Sequence, residues 1–470
     1  MRASGPASLR TATLAWQAAR FKASAAEKPL DMAGVAGFHA DGGAGLRRLA
    51  AAGAPIVRQE RVSLTQHRLT EGEGMQAMEV APGVRWVGVE DAELRVFDVI
   101  MQTPYGTTYN SYLVEGRDKT ALIEASKGKF GGTYLETLRG AIDPAAIDFM
   151  ICNHLEPDHS GALGDVLEAA PRAQVVVSKP GRVFAQAILN RELDARTVRD
   201  GERIDLGGRS LRFLSAPFLH WPDTMFTYLE EEQILFSGDF LGAHYCDGRR
   251  FNDLVGSEKE YDEAFRYYFQ VIMRPFKEHV RQALDKIAEL PIRMICPAHG
   301  PILRTGIGRY LEKYRAWSAD PARPGAKRLL VFFASAYGNT ERMARAIGRG
   351  IQAGGAEVGI FDLSGVKPGE LLDEIEAAQG IAVGSCTING DALEPAWALL
   401  SSLATIKLRD KLGAAFGDYG WSGEGPRLLA DRMKGLRLRA PEEPLRVQLV
   451  PTEADLRECE EYGKRLAAAL

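Results

Sequence analysis

The chain has 470 residues, more than one ordinary core accommodates, and about two to three domains are expected. A formal net charge of −4 with 46% hydrophobic and 26% charged residues describes a globular protein without a polyanion-binding signal, and no apolar run reaches the ~18 residues of a membrane span, so neither nucleic acid nor membrane is expected as a partner. Cys152, Cys246, Cys296, Cys386 and Cys459 are scattered and contain no CxxC pair, which argues against thiolate zinc, iron–sulfur and disulfide frameworks and for a reducing compartment.

Residues 1–75 stand apart. Up to Lys22 the segment carries Arg2, Arg10, Arg20 and Lys22 among Ser, Thr and Ala, with Glu27 as its first acid, which is the composition of an organelle transit peptide. An Ala/Gly/Arg-rich stretch such as Gly42-Gly43-Ala44-Gly45-Leu46-Arg47-Arg48 also arises when a start codon is placed too far upstream in a GC-rich genome, with Met75 or Met78 as the natural start. The second reading is preferred. It predicts a poorly ordered extension without catalytic role on a cytoplasmic protein, against an organellar one if residues 1–25 are a targeting peptide.

Strands are then predicted at 84–89, 108–114, 121–124, 149–153 and 175–178, with helices at 133–140 and 182–189. Further strands follow at 211–216, 225–228 and 234–237, then one long amphipathic helix over 260–287 and a last strand at 294–297. This pattern predicts a mixed α/β layered domain over 76–316. Pro, Gly and Ala displace periodicity over 317–327, as in a linker. Beyond it, strands at 328–333, 358–361, 381–384, 413–416 and 446–450 alternate with helices at 339–352, 368–378, 426–434 and 453–468, predicting a doubly wound parallel sheet over 328–470.

The run His154-Leu155-Glu156-Pro157-Asp158-His159 sets two imidazoles and two carboxylates at the mouth of the apolar strand Phe149-Met150-Ile151-Cys152. Buried ionisable groups are costly unless they pair or bind a metal. Pro157 predicts a tight loop that turns these side chains toward one point. Three more donors occupy strand ends or turns: His220 in His220-Trp221-Pro222-Asp223, Asp239 in Ser237-Gly238-Asp239, and His299 in Ala298-His299-Gly300-Pro301. A catalytic zinc takes three protein ligands plus water, so these donors exceed the needs of one ion. Two ions sharing a carboxylate would use them all, and Asp239, arriving on a separate strand, is the natural bridge. Mixed oxygen and imidazole donors suit iron or manganese, whereas an all-imidazole shell would suit zinc better; Glu156 is the residue that discriminates. His244 is expected behind the ligands or lining the pocket, and His279 is expected in solvent.

In the second domain Ser335-Ala336-Tyr337-Gly338-Asn339-Thr340 joins the first strand to the first helix, where small and hydroxyl residues surround a phosphate at a helix N-terminus. No GxGxxG is present, so a monophosphate such as that of FMN fits better than a dinucleotide. Two more loops follow strand ends, where ligands bind in open α/β sheets. Gly384-Ser385-Cys386-Thr387-Ile388-Asn389-Gly390 is one, with Ser385, Thr387, Ile388, Asn389 and Gly390 as candidates; Gly417-Asp418-Tyr419-Gly420-Trp421 is the other, with Tyr419 and Trp421 able to pack on a planar ring.

Together the His-x-Glu-x-Asp-His run, His-Trp-Pro-Asp, Ser-Gly-Asp, Ala-His-Gly-Pro and the three loops resemble the flavodiiron proteins over 78–470. The resemblance implies a metallo-β-lactamase-like αββα sandwich followed by a flavodoxin-like domain. It implies two Fe ions, one held by His154, Glu156 and His220, the other by Asp158, His159 and His299, bridged by Asp239, with FMN in the second domain. It further implies reduction of dioxygen to water or nitric oxide to nitrous oxide, rubredoxin or another electron donor, and a head-to-tail homodimer that brings one chain's FMN to the other's irons. A dinuclear zinc hydrolase with a flavodoxin passenger, or a flavin electron carrier with a structural metal domain, are the alternatives.

Overall fold

The computed structural model describes residues 76–320, 325 and 327–470; the expectations for residues 1–75 and most of the linker lie outside them. The first domain is built on two sheets. One, seven-stranded, runs in the order Met78–Ala81, Val84–Trp86, Tyr112–Glu115, Thr120–Ile123, Phe149–Ile151, Gln174–Val177 and Arg196–Thr197. The other, five-stranded, runs Arg203–Asp205, Ser210–Ser215, Met225–Leu229, Ile234–Gly238 and Met294–Pro297. Trp86, Tyr112, Ile151 and Val176 of the first meet Phe213, Phe236 and Cys296 of the second in one core between the sheets. Helices Gly131–Ala141, Leu163–Ala169 and Lys179–Leu189 cover one outer face; Glu258–Tyr268, Lys277–Ile287 and Ile307–Ser318 cover the other. With both faces covered, the inner strands are apolar throughout rather than alternating: Met225–Leu229 and Ile234–Gly238 are buried at every position.

The register places the metal-binding candidates. Ile234–Gly238 lies parallel to Met294–Pro297 with Gly238 opposite Pro297, so Asp239 and His299 leave the sheet side by side. Phe149–Ile151, parallel to both its neighbours, delivers the His154 run from the facing sheet. Pro157 does not sit in a loop as expected. It opens the short helix Pro157–Ser160, because a proline at the first helical position has no N–H to leave unsatisfied. The long helix expected over 260–287 is interrupted by a π turn, Phe269–Met273, and a 3-10 turn, Arg274–Phe276. Pro275 accounts for the break, since it removes a donor and disfavours helical backbone before it.

Helix Ile307–Ser318 runs into the expected linker, which therefore starts later than residue 317. The second domain has a parallel sheet in the order Glu357–Asp362, Arg328–Ala334, Gly380–Ser385, Leu412–Tyr419 and Leu445–Gln448, the flavodoxin arrangement. Helix Glu394–Ser402, absent from the sequence reading, packs on one face with Gly425–Gly435. Asn339–Ala353 and Glu453–Ala469 lie on the other, at a separation only glycine permits: a Cβ on Gly350 would stand 2.0 Å from the Glu460 carbonyl oxygen.

Candidate metal centre and flavin site

All seven expected metal donors converge. Glu156 Oε2 lies 3.3 Å from His154 Nε2 and 2.8 Å from His220 Nε2, and Asp239 Oδ2 lies 3.5 Å from each imidazole. On the other side Asp239 Oδ1 lies 3.1 Å from His159 Nε2 and 3.6 Å from His299 Nε2, while Asp158 lies 3.4 Å from His159 and 2.9 Å from His299. Asp239 thus turns one oxygen to each set. Two donors bound at ~2.1 Å to one ion stand roughly 3–3.5 Å apart, the spacing seen here. Asp158 Oδ1, His159 Nε2 and Asp239 Oδ2 are buried with no hydrogen-bond partner in the protein, as buried atoms reserved for an ion would be. The donor set fits a pair of metals.

The electrostatics agree. Burial opposes charge on His154, yet the Asp223 and Glu156 carboxylates outweigh it and hold the ring well above its usual range. Burial likewise opposes charge on His159, but Asp158 and Asp239 raise it to about 10. Burial would raise Asp239, but His159 and His154 hold it well below the usual carboxylate range. Protons here occupy the places that cations would take.

Behind the donors stand residues that the sequence reading gave no role. Asp223, 1% exposed, reaches His154 Nδ1 at 3.3 Å and accepts the Leu155 N–H at 2.8 Å. The Thr108 carbonyl accepts from His299 Nδ1 at 2.6 Å, and the Tyr268 hydroxyl donates to Asp239 Oδ1 at 2.9 Å. A carboxylate three positions after a candidate donor, as in His220-Trp221-Pro222-Asp223, was the available signal for Asp223. His244 lies buried beside the candidate donor His299, stacked on Phe97 at 4.3 Å, its Nδ1 2.9 Å from Thr107 Oγ1. Burial, then His299, holds it well below its usual range. His279 is half-buried beside Phe218, not solvated. The metal donors open onto a cavity of about 300 Å³ walled chiefly by Phe97, Ile100, Met101, Val271, Ile272 and Phe276.

The expected flavin loops gather at the C-terminal ends of the second domain's strands. Gly338, left-handed at φ +81, leads into helix Asn339–Ala353, and the position a Cβ would take there is open. Ser335 Oγ is buried without a partner, as an atom awaiting a phosphate oxygen would be. Thr340 donates its hydroxyl to buried Asp418, tying the first loop to the third. Ala336, Tyr337 and Trp421 are exposed, with Asn339, Tyr419 and Gly420 half-buried between them and Gly417 buried below. The second loop is more regular than expected: Thr387–Ile388 and Asp391–Ala392 form a hairpin turned by left-handed Asn389 and Gly390, the favoured Asn-Gly turn. Ser385 is fully occupied inside, accepting from Leu393 N–H and donating to the Cys386 carbonyl. These loops fit a flavin monophosphate.

Residues 107–300 match the family described as ODP family beta lactamase, and 331–463 match flavodoxin. A type A flavoprotein of Rhodobacter capsulatus is 47% identical over 395 residues, covering 83% of this chain and 90% of that protein. The chain belongs to the flavodiiron family. A protein named nitric oxide reductase in Moorella thermoacetica is 36% identical over 400 residues, 84% of this chain and 99% of that one. Among solved structures, rubredoxin oxygen:oxidoreductase of Desulfovibrio gigas is 30% identical with a TM-score of 0.64, covering 84% of this chain and 98% of its own. The flavodiiron chain is accordingly an oxidoreductase with a β-lactamase-like domain, a flavodoxin domain, FMN and a diiron centre.

Proposed function

We propose that the chain reduces dioxygen to water, nitric oxide to nitrous oxide, or both. Its irons would be held by His154, Glu156 and His220 on one side, Asp158, His159 and His299 on the other, and Asp239 between them. The observation that carries this reading is the division of Asp239's two oxygens between two donor sets that contain Glu156 and Asp158 as well as imidazoles. The irons and FMN supply the electron chemistry when bound. The chain's residues do the rest. Asp223 and the Thr108 carbonyl hold Nδ1 of His154 and His299, leaving each Nε2 free for an ion. Tyr268 draws charge from the Asp239 oxygen that faces His159. Apolar walls around the cavity admit a small uncharged gas.

The sheet geometry supports a head-to-tail homodimer. Ala404 of the flavodoxin domain lines the metal cavity, and Glu376, just before strand Gly380–Ser385, pairs with Arg274 and Lys277 of the metal domain. The metal domain therefore meets the N-terminal end of the flavodoxin sheet. The flavin loops lie at the other end of strand Leu412–Tyr419, whose eight residues span roughly 23 Å at ~3.3 Å each. That separation favours a second chain's flavin as the supplier of these irons. Exposed Tyr337 and Trp421 at the flavin end, and exposed Val99 and Ile100 beside the metal cavity, are surfaces such a dimer would cover. Rubredoxin, named for the Desulfovibrio gigas relative, or another carrier is the external donor. Five free cysteines among the described residues suit the cytoplasm.

Metal and flavin analysis of purified protein, followed by gas consumption with several donors, tests this. About two irons and one FMN per chain, with turnover of at least one gas, is the expected result. Two zincs and no turnover of either gas would sink it.

A further inference from the structure

A second cavity, of about 200 Å³, lies against the far side of the wall that bounds the metal cavity. Pro104, Tyr105, Ala264 and Tyr267 wall it, exposed Gln102 and Glu263 stand at its mouth, and buried His244 closes its floor. The polar ends of its tyrosines are already engaged. The Tyr105 hydroxyl donates to Glu263 at 3.2 Å, and the Tyr267 hydroxyl accepts the Gln102 N–H at 3.3 Å. The surface left facing the cavity is mostly apolar.

One layer of side chains separates the two cavities. On strand Met101–Gln102, Met101 faces the metal cavity and Gln102 the second one, as neighbouring strand positions do. At the end of helix Glu258–Tyr268, Tyr267 faces the second cavity and Tyr268 the metal cavity. His244 fills the gap between them. It stacks on Phe97 at 4.3 Å and stands edge-on to Tyr268 at 4.9 Å, and both of those rings line the metal cavity. Its inner edge meets the His299 ring at 5.1 Å between centres. Nδ1 is anchored to Thr107 Oγ1 at 2.9 Å while Nε2 has no partner, so the ring is tied at one end only.

We propose that this second cavity is the entry port by which dioxygen or nitric oxide reaches the metal centre, with the His244 ring as its door. The inference rests on the gas-reducing reading given above. In the head-to-tail dimer of that reading, the mouth of the metal cavity at exposed Val99 and Ile100 would be covered by the second chain, and gas needs a way in that docking leaves open. An apolar port suits an uncharged diatomic, which gives up little hydration on entering; apolar cavities of comparable size bind xenon. Passage requires only that the His244 ring turn aside, a side-chain motion that packed interiors allow.

Crystals of the FMN- and metal-loaded protein under xenon pressure read the port without turnover. A xenon atom between Tyr105, Ala264 and Tyr267 is expected, and its absence overturns the proposal. Gln102→Trp and Ala264→Leu narrow the port without touching a metal donor. Each should exclude xenon and raise KM for the gas about fivefold or more, with kcat at saturating gas, iron and FMN content and circular dichroism unchanged. Unaltered KM in both variants, with xenon excluded, overturns the entry role. Gas turnover by the unaltered protein keeps two failures apart. Turnover without a xenon site refutes the port alone, whereas a xenon site with turnover of neither gas refutes the functional reading and the entry role with it.

Discussion

Replacing Asp223 separates its two duties. Its carboxylate is 1% exposed, accepts the Leu155 N–H at 2.8 Å and orients His154 through Nδ1 at 3.3 Å. Asp223→Asn keeps an oxygen for Leu155 but loses the charge that faces the imidazole. Outer partners of this kind are worth about 10–100-fold in metal affinity, or roughly 1.4–2.7 kcal/mol, and removing the charge that faces buried His154 should cost the metal-free fold about 3 kcal/mol. Asp223→Ala should lose the same affinity and, in addition, about 1–3 kcal/mol of stability, because the Leu155 N–H is left buried without an acceptor. Asp223 makes no contact with His159 or His299, so the ion on their side should stay. After dialysis against a moderate chelator, Asp223→Asn should retain about one ion per chain where the parent retains two, and urea denaturation of the metal-free proteins should distinguish Asn from Ala. Two equally tight ions in Asp223→Asn would refute this account of His154.

Other outcomes follow from the same geometry. Glu376→Gln leaves buried Arg274 with only the exposed Asp373 and half-buried Lys277 without a carboxylate partner. Denaturation should show a loss of about 3 kcal/mol. Metal uptake should release protons, because carboxylates hold His154 and His159 above their usual values in the metal-free fold. Titrations at pH 8 in buffers of different ionisation enthalpy should report proton release, with His159 contributing about one. The sign for stability is that of a raised imidazole: the His159 contribution to the metal-free fold is full below its unfolded value near 6.5 and fades as pH rises through about 10. Metal-free protein should therefore melt progressively earlier over that window, and metal-loaded protein, with neutral rings, should not. Glu156→His replaces an anionic oxygen with an imidazole and should shift the purified metal content toward zinc while oxidant reduction falls to background.

The convergence of the seven candidate donors was legible because they are chemically unusual where they stand: imidazoles and carboxylates at the ends of apolar strands. The residues that orient them were not, since Asp223 and Thr108 act through contacts between distant segments and a backbone carbonyl carries no sequence signal. Periodicity located the helix over 260–287 but was read through Pro275, the one residue announcing its break. Short elements such as Arg196–Thr197 and the hairpin Val96–Phe97/Met101–Gln102 are too brief to show alternation. The hairpin at Asn389-Gly390 is announced by its Asn-Gly pair, a turn signal that also suits a ligand loop at a strand end. Glu376 carries no sequence signal of burial; it is buried where it meets Arg274 and Lys277 of the metal domain.

The central claim is that the Asp239-bridged centre, fed by FMN, completes the reduction of the gas. Free reduced flavin also consumes dioxygen but stops at hydrogen peroxide, so product analysis separates the two. Anaerobically reduced protein, exposed separately to dioxygen and to nitric oxide, should yield water without peroxide, or nitrous oxide, or both. Asp239→Ala, still carrying reducible FMN, should yield peroxide from dioxygen and no nitrous oxide. Peroxide from dioxygen and no nitrous oxide from the unaltered protein, or identical products from the variant, would contradict the account.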